Sequence, residues 1–297
     1  MDLKTYLHEK RPNLSESSLT TYNSILQSLH KKIFGDSTEI HLKNFDDTDK
    51  ILEFLKNIPA QRRKTTLSAL VVVSGGNDKY RKQMLDDIGE YNKNIRTQEK
   101  SPEQRESWVD FEDIKQIWEI LKIKADALYK KNDKNPASIQ EIQKFVLLSV
   151  LGGLFTPPRR SLDWCCFKIN NIDPESDNYI DKKKKMLVFN KYKTNKTYKQ
   201  QRVPLPLELK TILDKWIKVD PKRDYLFFDV NGSPLTSVKL NQRFVKIFGK
   251  KAAINQMRHS YLTNKFGDTI KQNEIISDTM KEMGSSPQQL QLYVKKV

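Results

Sequence analysis

Two arginines, a run of lysines and a late tyrosine are the residues of this chain whose types and settings could do chemistry. Arg160 follows a Pro157-Pro158 turn at the expected start of a helix, where the helix dipole favours negative groups over a cation. That placement makes sense if the guanidinium reaches into a site that receives an anion. The plainer reading is a surface arginine paired with Asp163, one turn on. Residues 182–202 hold nine basic side chains and no acidic one, with Tyr192 and Tyr198 interleaved. Such a stretch can lie along a phosphate backbone and bring one lysine, Lys193 or Lys196, to a reacting phosphate. It can equally be a strand edge guarded by lysines against aggregation, and the run Lys182 to Lys185 reads as plain surface or non-specific backbone contact. Arg258 and His259 open a helix further on, and Tyr293 sits alone in a Gln-rich segment. Each of these also has an ordinary structural reading.

The elements that must position these residues are mostly helical. Apolar residues recur at helical spacing over 14–34, with Ser15 as an N-cap candidate and Ser17 and Ser18 leaving its position open by a residue or two, and helices are expected at 46–57, 60–74 and 78–94. Gly75-Gly76-Asn77 separates the last two. Residues 1–96 thus read as a helical bundle. Residues 97–107 are polar, contain Pro102 and carry no apolar period, which reads as a linker. Beyond it, helices are expected at 110–122, 138–151, 207–219, 237–248, 255–266 and 273–283. A β-hairpin is expected from 186–194, a turn at Asn195-Lys196, and 197–204. The fold class is mainly α (α+β): a helical N-terminal bundle over 1–96 and a mixed second domain over 108–297 with a small antiparallel sheet.

Composition narrows the partners. Of 297 residues, 53 are Lys or Arg and 37 are Asp or Glu, a formal charge of +16. Residues 1–96 contribute 16 basic and 13 acidic side chains, so +13 of the excess lies downstream. The balance points to a polyanion, most often nucleic acid, against a generic lysine-rich soluble protein. No apolar run approaches the ~20 residues of a membrane span, and the N-terminal stretch lacks the apolar core of a secretory signal. The expectation is an intracellular protein of the cytoplasm, nucleus or a viral factory, not a secreted or membrane one. The adjacent Cys165 and Cys166 form no disulfide framework, and the few His and Cys stand at no metal-ligand spacing.

Taken together, the motifs resemble the tyrosine recombinase (phage integrase-like) family from about Trp108 to the end, and more loosely over the N-terminal helices. Arg160-Ser-Leu-Asp163, followed by the apolar Phe167 and Ile172, fits the family's first arginine box, with Arg159 as the one-residue alternative. Lys193 matches its hairpin lysine, with Lys196 as runner-up. Met257-Arg258-His259-Ser260-Tyr261 matches the second arginine box, and Met283-Gly284-Ser285-Ser286 with Tyr293 matches the closing pattern. Two positions depart from it. Asn255 stands where the family has His or Lys, and Ser285 where it has His or Trp. Amide and hydroxyl are poor acids and bases near neutral pH, though both can donate a hydrogen bond.

The resemblance implies a site-specific DNA recombinase or integrase, commonly of a virus or other mobile element. Tyr293 would attack a phosphodiester, Arg160 and Arg258 would stabilise the transition state, and Lys193 would be the general acid, with Asn255 and Ser285 in secondary positions and His259 orienting the helix. Contacts to double-stranded DNA would come from Arg159, Lys191, Lys196, Lys199 and Arg202, and from Arg62, Arg63 and Lys64 of an N-terminal core-binding domain that closes on DNA as a clamp with the catalytic domain. Neither metal nor ATP nor any other cofactor is implied. The assembly would be a homotetramer on paired sites and a monomer or dimer off DNA. Two alternatives stay open: a type IB topoisomerase-like enzyme, and a DNA-binding accessory protein on a catalytically weakened scaffold, which Asn255 and Ser285 favour.

Overall fold

The computed structural model describes residues 2–36 and 40–295 and divides into two compact units, Met1–Lys100 and Ser101–Val297. The chain is dominated by helices, with one three-stranded antiparallel sheet.

The first unit is built of α1 (Leu3–Lys10), α2 (Glu16–Phe34), a 3-10 turn at Leu42–Asp46, α3 (Thr48–Leu55), α4 (Ala60–Val73) and α5 (Asp78–Arg96). Side-chain caps set the starts: Ser15 accepts from the Ser18 amide, Asp47 from Lys50 and Asn77 from Lys79. α1 was not expected from the sequence; its eight residues bury only Leu3 and Leu7, too short a stripe to read as amphipathic. The expected 46–57 helix is shorter, because residues 42–46 form the separate 3-10 turn that buries Phe45. Leu7, Leu26, Phe45, Ile51, Leu67 and Tyr80 are fully buried in its core, and the Tyr80 hydroxyl donates to the Phe45 carbonyl at 2.8 Å.

The second unit opens with α6 (Pro102–Ser107), where a polar linker was expected. A capping box explains it: Ser101 accepts from the Gln104 amide while the Gln104 side chain accepts from the Ser101 amide. α7 (Phe111–Lys131) runs well past the expected 122 and stops where Asn132 turns left-handed, at φ 48°. α8 (Pro136–Leu151), buried along nearly its whole C-terminal half, leads into the turn α9 (Ser161–Trp164). The sheet has the order β1 (Tyr179–Asp181), β2 (Met186–Phe189), β3 (Gln201–Pro204), with Val188 opposite both Tyr179 and Arg202. The expected two-residue hairpin turn is absent. Residues 190–200 form a longer connection containing the helical turn α10 (Asn195–Tyr198), so the strands are shorter than alternation suggested. Trp164, Phe167, Phe189 and Phe227 pack as one aromatic group beneath the sheet. α11 (Leu207–Ile217) and α12 (Ser237–Phe248) complete the core.

The chain ends with α13 (Ile254–Glu282), a 3-10 turn at Pro287–Gln289 and α14 (Leu290–Tyr293). Two helices were expected here, 255–266 and 273–283; the structure joins them in one 29-residue helix through Gly267. An interior glycine costs only about 1 kcal/mol relative to alanine, so its presence alone does not break a helix.

Candidate functional site

The site begins at the end of α8. Gly153 has φ +85°, and a Cβ there would sit 2.9 Å from Cδ2 of Tyr261. Only glycine therefore fits both the backbone and the contact. This close approach lays the turn 152–160 against the first turns of α13, whose Ile254, Met257 and Ser260 are buried. Arg159 and Arg160, from the turn, and Arg258, from α13, consequently line one cleft of about 390 Å3. Thr156, Asp163 and Tyr198 line it with them.

The three guanidiniums are not equivalent. Arg159 donates through Nε to Asp163 Oδ2 at 3.0 Å and through Nη1 to Gln201 Oε1 at 2.7 Å. Its guanidinium lies 3.9 Å from the centre of the Phe189 ring, with Tyr192 also beneath it. Arg160 has no hydrogen-bond or ion-pair partner among the described residues, and Arg258 has only a long contact, 3.4 Å, to Asn255 Oδ1. The plainer reading of Arg160, a surface arginine paired with Asp163, does not describe the structure: Asp163 is held by Arg159, and Arg160, the N-cap residue of α9, lines the cleft.

Three cations thus face one carboxylate. Burial pushes the Asp163 pKa above the ordinary carboxylate value, while Arg159, Arg160 and Arg258 pull against that shift. Burial lowers the Arg258 pKa, and Arg160 adds like-charge repulsion in the same direction; a guanidinium nonetheless stays charged near neutrality. Asp163 Oδ1 and the indole nitrogen of Trp164 are buried without a hydrogen-bond partner among the described residues. Chemically, this is a cleft with two open planar cations that would receive an oxyanion with several acceptor atoms.

The neighbouring loop is fastened by a residue that sequence reasoning missed. The Asn178 side chain is buried and uses both ends: Nδ2 donates to the carbonyls of Asp163 and Lys191, at 2.8 and 2.7 Å, and Oδ1 accepts from the amides of Asn190 and Lys191. Gln201 was missed likewise. Neither carries a sequence signal, since their value lies in contacts made across the fold. Thr194 and Tyr198 of the loop line the cleft, whereas Lys193 and Lys196 are exposed and do not. Lys191, Lys199 and Arg202 lie on the same surface loop and strand; Arg202 is tied to Gln200 by a 2.8 Å hydrogen bond.

The remaining expected residues lie elsewhere. Tyr293 is 59% exposed and does not line the cleft. Ser285 donates to Gln289 Oε1 at 2.5 Å at the far end of α13, away from the arginines. Asn255 is exposed beside Arg258, and its amide is 3.2 Å from the His259 ring. In the first unit, the Arg63 guanidinium is engaged within the fold. Its Nε and Nη2 hold Asp87 at 2.8 and 2.7 Å, and Nη1 donates to the carbonyls of Leu55 and Lys56 that end α3. Lys64 covers the Tyr91 ring, and Arg62 is exposed. Among the described residues, no three His, Cys, Asp or Glu side chains gather where they could share a metal ion.

No protein-family model matches the chain, and no curated protein sequence matches it. Solved structures do align with it. XerA recombinase is 14% identical over 90% of this chain and 84% of that one, with a TM-score of 0.33. A lambda integrase fragment, solved as a dimer bound to a COC′ core site, is 15% identical over 91% and 94%, with a TM-score of 0.43. A second lambda integrase dimer on that core site is 13% identical over 91% and 73%, with a TM-score of 0.45.

Proposed function

We propose that this chain cleaves and rejoins duplex DNA through a covalent phosphotyrosyl intermediate, as a recombinase of the tyrosine type. The observation that carries the reading is the meeting of Arg160 and Arg258 in one cleft with their donors open. They come from elements almost one hundred residues apart in sequence. The motif order that resembles the family adds to it.

In this reading the scissile phosphate sits between the two guanidiniums, which hold the non-bridging oxygens as negative charge gathers on them. The Tyr293 oxygen forms a bond to phosphorus and gives its proton to solvent. The bond from phosphorus to the 5′ oxygen breaks, and that oxygen takes a proton from Lys193. The product is a 3′-phosphotyrosine and a free 5′-hydroxyl, and reversal by another 5′-hydroxyl rejoins the strand. Arg159 positions the cleft by holding Asp163. The exposed Lys191, Lys196, Lys199 and Arg202 contact the phosphate backbone, and four copies on two sites exchange strands.

The test is trapping on duplex DNA nicked close to the cleavage point, read as a covalent protein–DNA band that survives denaturation. The band is expected with the unaltered protein and absent with Tyr293→Phe. DNA binding with no band over a panel of sites overturns the proposal in favour of a second reading, a DNA-binding accessory protein. Asn255 and Ser285, neither a good proton carrier, favour that reading.

A further inference from the structure

A tyrosine lines the cleft beside the arginines. Of the two tyrosines interleaved in the basic stretch, Tyr192 serves the fold. It is buried beneath Arg159, and its hydroxyl donates to the Lys199 carbonyl at 2.6 Å. Tyr198 is its opposite. It is 63% exposed, it lines the cleft, and its hydroxyl has no hydrogen-bond partner among the described residues.

Tyr198 is also held in place. Its amide donates to the Thr194 carbonyl at 3.0 Å, and the Lys199 amide donates to the Asn195 carbonyl at 2.8 Å, which closes α10. The Asn195 side chain donates to the Asn190 carbonyl at 3.0 Å, and the Asn190 amide is fixed in turn by Asn178. The phenol therefore stands on a fastened turn. A donor so mounted needs no reorganisation as charge develops opposite it.

Open donors in the cleft are otherwise few. Arg159 commits its guanidinium to Asp163 and Gln201, which leaves Arg160 and Arg258. Thr156 is buried, and Lys193, Lys196, Asn255 and Ser285 do not line the cleft. Thr194 does, on a much shorter side chain. The two non-bridging oxygens of a phosphodiester can accept more bonds than two guanidiniums supply, and an O–H donor to an ionised oxygen makes one of the strong hydrogen bonds.

Resting on the reading above, we infer that Tyr198 is a further catalytic residue: its hydroxyl donates a hydrogen bond to a non-bridging oxygen of the phosphate held by Arg160 and Arg258, and that bond strengthens as charge gathers there. The proton stays on the Tyr198 oxygen. The bonds made and broken at phosphorus are those already described.

Two variants and two measurements test this. Tyr198→Phe removes the hydroxyl and keeps the ring; Tyr198→Ala removes both. The first measurement needs no cleavage. Orthovanadate, a phosphate-sized oxyanion, is titrated into each protein by calorimetry, with Arg160→Ala as the reference for a lost donor. The unaltered protein is expected to bind it, and Tyr198→Phe to bind it about ten-fold more weakly or worse, as for the loss of a hydrogen bond to a charged group. Equal affinity of the two overturns the proposal, and so does a failure of the unaltered protein to bind. The second measurement is the covalent band on nicked duplex. Both variants are expected to slow its formation alike, by about 10²-fold, with melting temperature and duplex affinity unchanged. A normal rate in Tyr198→Phe beside a slow Tyr198→Ala overturns the role of the hydroxyl and makes the ring a stacking surface for a base. No band from the unaltered protein overturns the cleavage reading and with it any part of Tyr198 in the rate; its bond to the bound oxyanion is then decided by the vanadate series alone.

Discussion

Arg159 and Asp163 stand four residues apart and hold one another at 3.0 Å, with side chains 18% and 3% exposed. This pair leaves Arg160, the next residue in the turn, facing the cleft with no side-chain partner among the described residues. The two neighbouring arginines thus have different physical duties, and substitutions should separate them.

Arg160→Ala is expected to leave thermal stability nearly unchanged, because it removes no hydrogen bond, and to lower covalent adduct formation by about 10²–10³-fold, the usual cost of a lost oxyanion donor. Arg159→Ala should instead destabilise the second unit by about 3–5 kcal/mol, the usual cost of stranding one partner of a buried pair. Thermal melts beside trapping assays separate the two effects.

The Arg159→Ala loss should depend on pH. Asp163 already has a raised pKa in the fold, from burial, and losing Arg159 raises it further. The folded state then binds a proton more tightly than the unfolded chain, so stability falls as pH rises above the unfolded carboxylate value of about 3.9 and through the folded pKa. Melts of this variant should therefore show a smaller deficit at mildly acidic pH than at alkaline pH. An equal deficit at both would contradict the burial of a charged Asp163.

Asp87 predicts the reverse. Burial raises its pKa, but hydrogen bonds from Arg63 and Gln83 outweigh that and leave it below the ordinary value. Its contribution to the first unit is present above the unfolded pKa of about 3.9 and is lost as pH falls through the folded one. Asp87→Asn should remove that acid-sensitive component, measured as a shallower loss of melting temperature on acidification. It should also lower stability near neutrality, because Arg63 is left beside a neutral partner.

Gly153→Ala adds one methyl group where φ is +85° and Tyr261 is already close. The second unit should lose about 1–3 kcal/mol from left-handed strain and overpacking. If the turn shifts away from α13, Arg160 and Arg258 separate, and adduct yield should fall further than the melting temperature accounts for. Tyr261→Ala in the same chain should relieve the overpacking part of that stability loss.

The exposed lysines of the 190–200 loop should divide by function. Lys193→Ala is expected to lower adduct yield with little change in duplex affinity. Lys196→Ala should weaken binding evenly across sequences and reduce the slope of log affinity against log salt by about 0.9. Equal behaviour of the two variants in both assays would remove the special role given to Lys193.

Much of the architecture was legible from periodicity and caps. Ser15, one of three serines that could cap α2, is the residue that does so, and Asn77, read only as part of the Gly75-Gly76-Asn77 break, caps α5. The hairpin was misjudged because Asn195-Lys196 looks like a two-residue turn, whereas the Tyr192 hydroxyl bonds the Lys199 carbonyl at 2.6 Å and closes a wider loop. β1 was missed because three residues give no alternation to read. Arg160 and Arg258 could be singled out by type and setting, but not which arginine would take Asp163. That choice depends on the direction in which α9 leaves the turn. Arg63 looked like a cation free for a groove because its partner lies 24 residues away.

Asn178 gives the loop a fixed root. It clamps the chain at Asn190 and Lys191 to the backbone of Asp163, so the segment beyond is cantilevered from a point already registered to the arginine turn. Residues 193–198 are therefore the natural cassette for exchange between variants of this chain: their length and charge can be rewritten while the mounting stays where it is.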